Sequence, residues 1–178
     1  MEDLINLKNN DYNGLLSEIS TLLTTAHSAV AQSVNTILLD TYWQIGKHIV
    51  EFEQKGNDKA EYGSNLLNNK SKDLTSKFGS GFSRSNIHYM RQFYLRFPKS
   101  ETVSHKLSWS HYFEILKVDD PLEMSFYVNQ CEKDGWSVRE LKRQMKSMLF
   151  HRIALNKDKT EVLELASNGI DVQKPETT

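Results

Sequence analysis

Apolar residues recur through the first part of the chain at helical steps: Leu15, Ile19, Leu22, Leu23, Ala26, Val30, Val34, Ile37, Leu38, Thr41, Ile45, Ile49 and Phe52. Steps of three and four residues give one face of an α-helix, not the alternation of a strand, and no proline interrupts them. A single helix of that length would extend roughly 55 to 60 Å at 1.5 Å per residue. A lone amphipathic helix cannot bury its stripe, so the run calls for another helix beside it. Two arrangements satisfy this. One is an unbroken helix that pairs with a second copy of the chain; the other breaks around Ser28 to Asn35, where Ser, Gln and Asn cluster, into two antiparallel helices. Tyr42 and Trp43 supply aromatic anchors near the end of the run, and Gly46 allows close approach of another backbone.

A polar, glycine-containing stretch, Gln54 to Tyr62, marks a loop. From Leu66 to Phe78 the pattern predicts a helix with Leu67, Leu74 and Phe78 on one side and Asn68, Lys70, Lys72 and Lys77 elsewhere. Gly79-Ser80-Gly81-Phe82 then breaks it with two residues that tolerate positive φ, and Ser83 can cap the next helix. Ile87, Met90, Tyr94 and Phe97 form an apolar stripe on that second helix, and Pro98 stops it near Phe97. Opposite the stripe fall Arg84, His88 and Arg91, flanked by Ser85 and Gln92, all donors suited to DNA. This helix, turn and helix read as a helix-turn-helix, with Lys70, Lys72 and Lys77 placed for phosphates.

Lys99 to Lys106 is a second loop, and Leu107 to Leu116 a short, largely buried helix. Asp119-Asp120-Pro121 is an acidic cap with proline at the first helical position, opening a helix that ends before Gly135. Ser137 and Glu140 are expected to form a capping box, each satisfying the other's backbone donor, for a last helix that runs to about Ile153. Its apolar side holds Val138, Leu141, Met145, Met148 and Leu149; Arg139, Lys142, Arg143 and Lys146 form a second basic face. Beyond Leu155 the periodicity weakens. The expected organisation is all-α: a long helical arm (or hairpin) over 1–56 suited to dimerisation, a helix-turn-helix-like domain over 57–155, and a flexible linker or tail over 156–178.

Three prolines and eight glycines among 178 residues, between long helix-period runs, favour this class over a sandwich or a βαβ design. The net charge of −1 conceals an uneven distribution. Residues 1–63 carry 4 Lys and Arg against 9 Asp and Glu, residues 64–118 carry 9 against 3, and residues 119–178 carry 9 against 11. The positive excess therefore lies on the helix-turn-helix candidate, which points to nucleic acid where the average does not. An acidic start without a long apolar region is not a secretory signal, and nothing approaches a membrane span, so a cytoplasmic protein is expected. The single cysteine, Cys131, can make neither an internal disulfide nor a thiolate zinc site. It reads as a small apolar filler.

Tyr42-Trp43-x-Ile45-Gly46, Tyr62-Gly63, Gly81-Phe82-Ser83 with Asn86 and Met90-Arg91-x-Phe93-Tyr94, Leu107-Ser108-Trp109-Ser110-His111, Phe126-Tyr127, and Gly135-Trp136-Ser137 with Leu141 follow in order. Together they resemble the amino-terminal domain of YhcG-like proteins, a bacterial family of unknown function, over roughly residues 15 to 155. The resemblance implies a parent protein that continues into a PD-(D/E)XK nuclease domain, and an amino-terminal part that binds nucleic acid or partners. This chain stops where that domain should begin.

Catalytic chemistry is not expected within the chain itself. Such nucleases hold Mg²⁺ with acidic residues that include a Glu-x-Lys or Asp-x-Lys pair on neighbouring strands. Glu53-Gln54-Lys55 and Glu140-Leu141-Lys142 match the tripeptide, but both lie in helical contexts. The six histidines form no metal array, and His111, between Trp109 and Tyr112, is expected to hydrogen-bond or stack in the core. No cofactor is called for. The sequence thus points to a non-catalytic module that binds double-stranded DNA and self-associates, the alternative being a protein-interaction module without nucleic acid.

Overall fold

The structure, a computed structural model, describes residues 2–54, 71–155 and 157–169, with side chains from Tyr12 onward. Among these residues every regular element is helical. The chain divides into two units, Met1–Ile37 and Leu38–Thr178. One helix, α1 (Glu2–Gln54), runs unbroken through Ser28 to Asn35, which settles the alternative in favour of the single helix. Within the polar cluster Ser33 Oγ donates to the Ala29 carbonyl at 2.9 Å, a bond compatible with an unbroken helix.

In the first unit no described side chain is buried. Leu15, Leu16, Leu22, Leu23, Val30 and Val34 are all more than half exposed. Thr21 and Thr24 donate to the carbonyls of Ser17 and Ser20, four residues back.

The second unit holds the core. It begins with residues 38–54 of α1, which the expected 1–56 arm had assigned elsewhere. Leu39, Trp43, Ile49 and Val50 are buried there. The unit continues with α2 (helical over 71–78), a 3-10 turn (Ser80–Phe82), α3 (Arg84–Arg96), α4 (Trp109–Ile115), α5 (Pro121–Asp134), α6 (Val138–Lys146), α7 (Leu149–Ala154) and α8 (Lys159–Asn168). Gly46 lets α1 meet α3 backbone to backbone, since a Cβ at that position would overlap the Met90 carbonyl. Trp43 closes the same crossing by donating from its indole to the Phe97 carbonyl at 2.6 Å, its ring edge-on to Tyr94. Phe93, Tyr112, Phe126, Tyr127 and Leu141 are fully buried beneath this crossing.

The helix ends form largely as their residues dictate. Asp120 accepts from the Leu122 N–H at 2.9 Å with Pro121 behind it, and Gly135 ends α5 in the left-handed region at φ 63°. Ser137 accepts from the Glu140 N–H, but Glu140 does not reach back; its carboxylate turns forward to Arg143 and Gln144. His111 is half-buried and forms a reciprocal cap with Ser108 at the start of α4. Its Nδ1 accepts from the Ser108 N–H at 3.1 Å, so Nε2 carries the proton donated to the Trp136 carbonyl at 2.9 Å. The 99–106 loop is tied down by Tyr112, whose hydroxyl accepts from the Ser104 N–H and donates to the Ser104 carbonyl.

Two further expectations change. The helix starting at Val138 does not run on to Ile153: it stops at Lys146, and α7 restarts at Leu149 after Met148 adopts φ 53°. In a straight helix Phe150 would lie nine residues, or about 180°, from Leu141 and face solvent. The left-handed residue turns the chain so that Leu141 and Phe150 are both buried, Phe150 packing on Phe126 with centroids 5.5 Å apart. The segment expected as a tail or linker contains α8, which has a reciprocal cap between Asp158 and Glu161 and buries Leu165 and Ala166. Ser125 and Asn129 of α5 both donate to the Ala166 carbonyl, at 3.1 and 2.7 Å.

Candidate nucleic-acid interface

Local chemistry shapes the turn ahead of α3. Of its two glycines, Gly79 takes the positive φ, 92°, while Gly81 lies against the Tyr42 hydroxyl. Thr75 Oγ1 of α2 donates to the Phe82 carbonyl at 3.0 Å, and Phe78 and Phe82 meet edge to face. Ser83 accepts from the Asn86 N–H at 3.4 Å, a long cap, and α3 begins at Arg84 as expected. Asn86 links this turn to α4: its amide nitrogen donates to the Gly81 carbonyl and its oxygen accepts from the Trp109 indole at 2.9 Å. Asn86 was not among the candidate site residues, although Asn86 and Trp109 both belong to the residues that carry the resemblance.

Burial of Ile87, Met90 and Phe93 fixes the rotation of α3, leaving the predicted polar face outward at its amino-terminal end. Arg84, Ser85 and His88 are exposed. No carboxylate pairs with Arg84 among the described residues. Lys72 and Lys77 of α2 are exposed as well, and Lys70 lies outside the described residues. Phe78, on the apolar side of α2 with Leu74, is 66% exposed.

Toward the other end of α3 the face changes character. Arg91 is half-buried, and its Nε donates to both carboxylate oxygens of Glu53. Gln92 is half-buried too. The five residues expected on one recognition face therefore split into an exposed trio and a pair drawn against the body. Glu53 carried no signal as Arg91's partner, because its only sequence context was the Glu-x-Lys tripeptide.

The second basic face stands on α6, where Arg139, Lys142, Arg143 and Lys146 are exposed and line a shallow groove with Ser137 and Glu140. Two of the four are engaged: Lys142 with Glu114 at 3.6 Å and Arg143 with Glu140 at 2.7 Å. Hydrogen bonds from Arg143 and then Gln144 hold the Glu140 carboxyl below the usual carboxylate range. Both Glu-x-Lys tripeptides thus have their glutamates committed to arginines. Among the described residues no three His, Cys, Asp or Glu side chains converge as a metal site would require, so no metal-dependent step is built on them. No described helix is long and apolar enough to cross a membrane.

The helical body thus presents two basic surfaces, one at the start of α3 and one on α6. The chain belongs to the DUF1016 N-terminal domain family, which matches residues 18–152. It is also 32% identical, over 92% of its length, to the Escherichia coli (strain K12) protein named "Putative nuclease YhcG". The chain corresponds to 52% of that relative, about half its length. No solved structure matches the chain.

Proposed function

We propose that this chain is a non-catalytic, double-stranded-DNA-binding and self-associating module of a PD-(D/E)XK nuclease, acting in the cytoplasm. One observation carries the DNA reading: the exposed trio Arg84, Ser85 and His88 at the amino-terminal end of α3, directly after a tight turn. Helix N-termini favour phosphate, and the major groove admits a helix whose first residues reach the base edges. Lys72 and Lys77 across the turn add phosphate contacts, and the α6 face adds Arg139 and Lys146 as a second anchoring surface. Arg91 is assigned to positioning α3 against α1, and Gln92 to the edge of the interface. The likeness to a named nuclease supports placing the module beside a catalytic domain.

Replacing Arg84 and His88 together by alanine should weaken binding to a fluorescent duplex about tenfold or more and flatten the salt dependence by about one unit of log–log slope. Unchanged affinity across a salt titration would remove α3 from the interface. A second reading, a protein-interaction module without nucleic acid, is favoured by the exposed apolar stripe on α1. The two separate when wild-type protein is titrated with duplex: absence of salt-sensitive binding selects the second.

A further inference from the structure

The exposed side of α1 carries two apolar seams. One runs through Leu16, Ile19, Leu23, Ala26 and Val30, the other through Leu15, Ile19, Leu22, Ala26 and Ala29; both use alternating steps of three and four. Ile19 and Ala26 belong to both. In heptad terms the apolar positions are a, d and g. A two-stranded coiled coil needs only the narrower a and d stripe, whereas a three-sevenths face is that of a helix packed between two neighbours. Leu15 and Leu22 are 54% and 69% exposed, Leu16 and Leu23 51% and 55%, so both seams lie open to solvent.

We propose, resting on the self-association reading above, that α1 assembles with three further copies into a four-helix bundle, each helix spending one seam on each neighbour. Three observations favour copies of this chain over a foreign partner. The stripe leaves Leu15, Leu16, Ile19, Leu22, Leu23 and Val30 between 43% and 69% exposed, a contiguous apolar patch of the kind that marks an interaction surface. From Tyr12 to Leu39 the only acidic side chain is Glu18 and the only basic one His27, so identical faces meet with little like-charge repulsion and offer a charged partner little to pair with. Ser33 continues the shared ridge of Ile19 and Ala26 by one heptad, and its hydroxyl already donates to the Ala29 carbonyl at 2.9 Å, so burying it strands no donor. Small residues at Ala26 and Ser33 also suit a bundle interior where several helices converge.

Light scattering and sedimentation velocity on the full chain, at tens of micromolar, test the arrangement. Wild type should run at four times the chain mass. Leu15→Glu with Leu22→Glu, which cuts only the second seam, should halve that mass. Leu16→Glu with Leu23→Glu should reduce it further, and Thr21→Glu on the opposite face should leave the tetramer intact. Near-UV circular dichroism of the core tryptophans should be the same in every variant, separating loss of assembly from loss of fold. A wild-type dimer, or a tetramer indifferent to Leu15→Glu with Leu22→Glu, overturns the bundle while leaving self-association standing. A wild-type monomer removes both.

Discussion

Arg91 on α3 donates its Nε to both carboxylate oxygens of Glu53 on α1, at 3.1 and 2.8 Å, with the two side chains 29% and 20% exposed. A partly buried pair held through two hydrogen bonds fixes the approach of two helices better than an exposed pair can. Glu53→Gln should therefore lower stability by about 1 kcal/mol in urea denaturation. The same change releases a positive charge at the edge of the proposed interface, so duplex affinity should rise or stay level while stability falls. Loss of both in parallel would mean that Arg91 serves the interface only through its pairing.

Gly46 and Gly14 lie on the same helix and should respond oppositely to alanine. At Gly46 the added methyl overlaps the Met90 carbonyl and α1 must move off α3. Gly46→Ala is expected to cost about 2 kcal/mol or more, despite alanine's better helix propensity. Nothing lies within 4 Å of a Cβ at Gly14, so Gly14→Ala should raise helicity with a gain of about 0.5–1 kcal/mol in local helix stability. Circular dichroism with urea titration reads both.

Met148 holds a left-handed backbone that costs an ordinary residue about 1–2 kcal/mol. Its side chain is 55% exposed, so little packing offsets that cost. Met148→Gly should leave the melting temperature unchanged or raise it by a few degrees. Met148→Val, β-branched at positive φ, should lower it.

The Cys131 thiol is pushed up to about 12, first by burial and then by the nearby carboxylates of Asp134 and Glu132. A neutral thiol with 4% exposure should resist iodoacetamide at pH 8 and react fully in denaturant. The raised folded value means that the fold favours the protonated thiol. Its contribution is intact below the unfolded thiol's pKa and is lost as pH rises above it, so a rise in labelling rate should accompany alkaline destabilisation.

Helix starts and stops were legible where a local rule decides them: Ser83 and Arg84, Asp120 and Pro121, and Gly135 all lie where their chemistry requires. The outward trio of α3 followed from periodicity because the opposite stripe is buried. Tertiary decisions were not legible. The turn at Met148 answers to the need to bury Phe150 as well as Leu141, and no signal within 138–153 announces it. Arg91 and Glu53 lie 38 residues apart, and their pairing depends on the Gly46 crossing. The helix over 159–168 is short and weakly periodic, and it owes its place to contacts made by α5.

Those contacts extend the cooperative unit. The family match ends at residue 152, yet Ser125 and Asn129 reach past that limit to hold the Ala166 carbonyl, and Leu165 covers the core. The packed unit thus extends beyond the residues that the family matches. Cutting the chain at the family boundary should leave the α5 surface bare and convert a cooperative melt into a broad one.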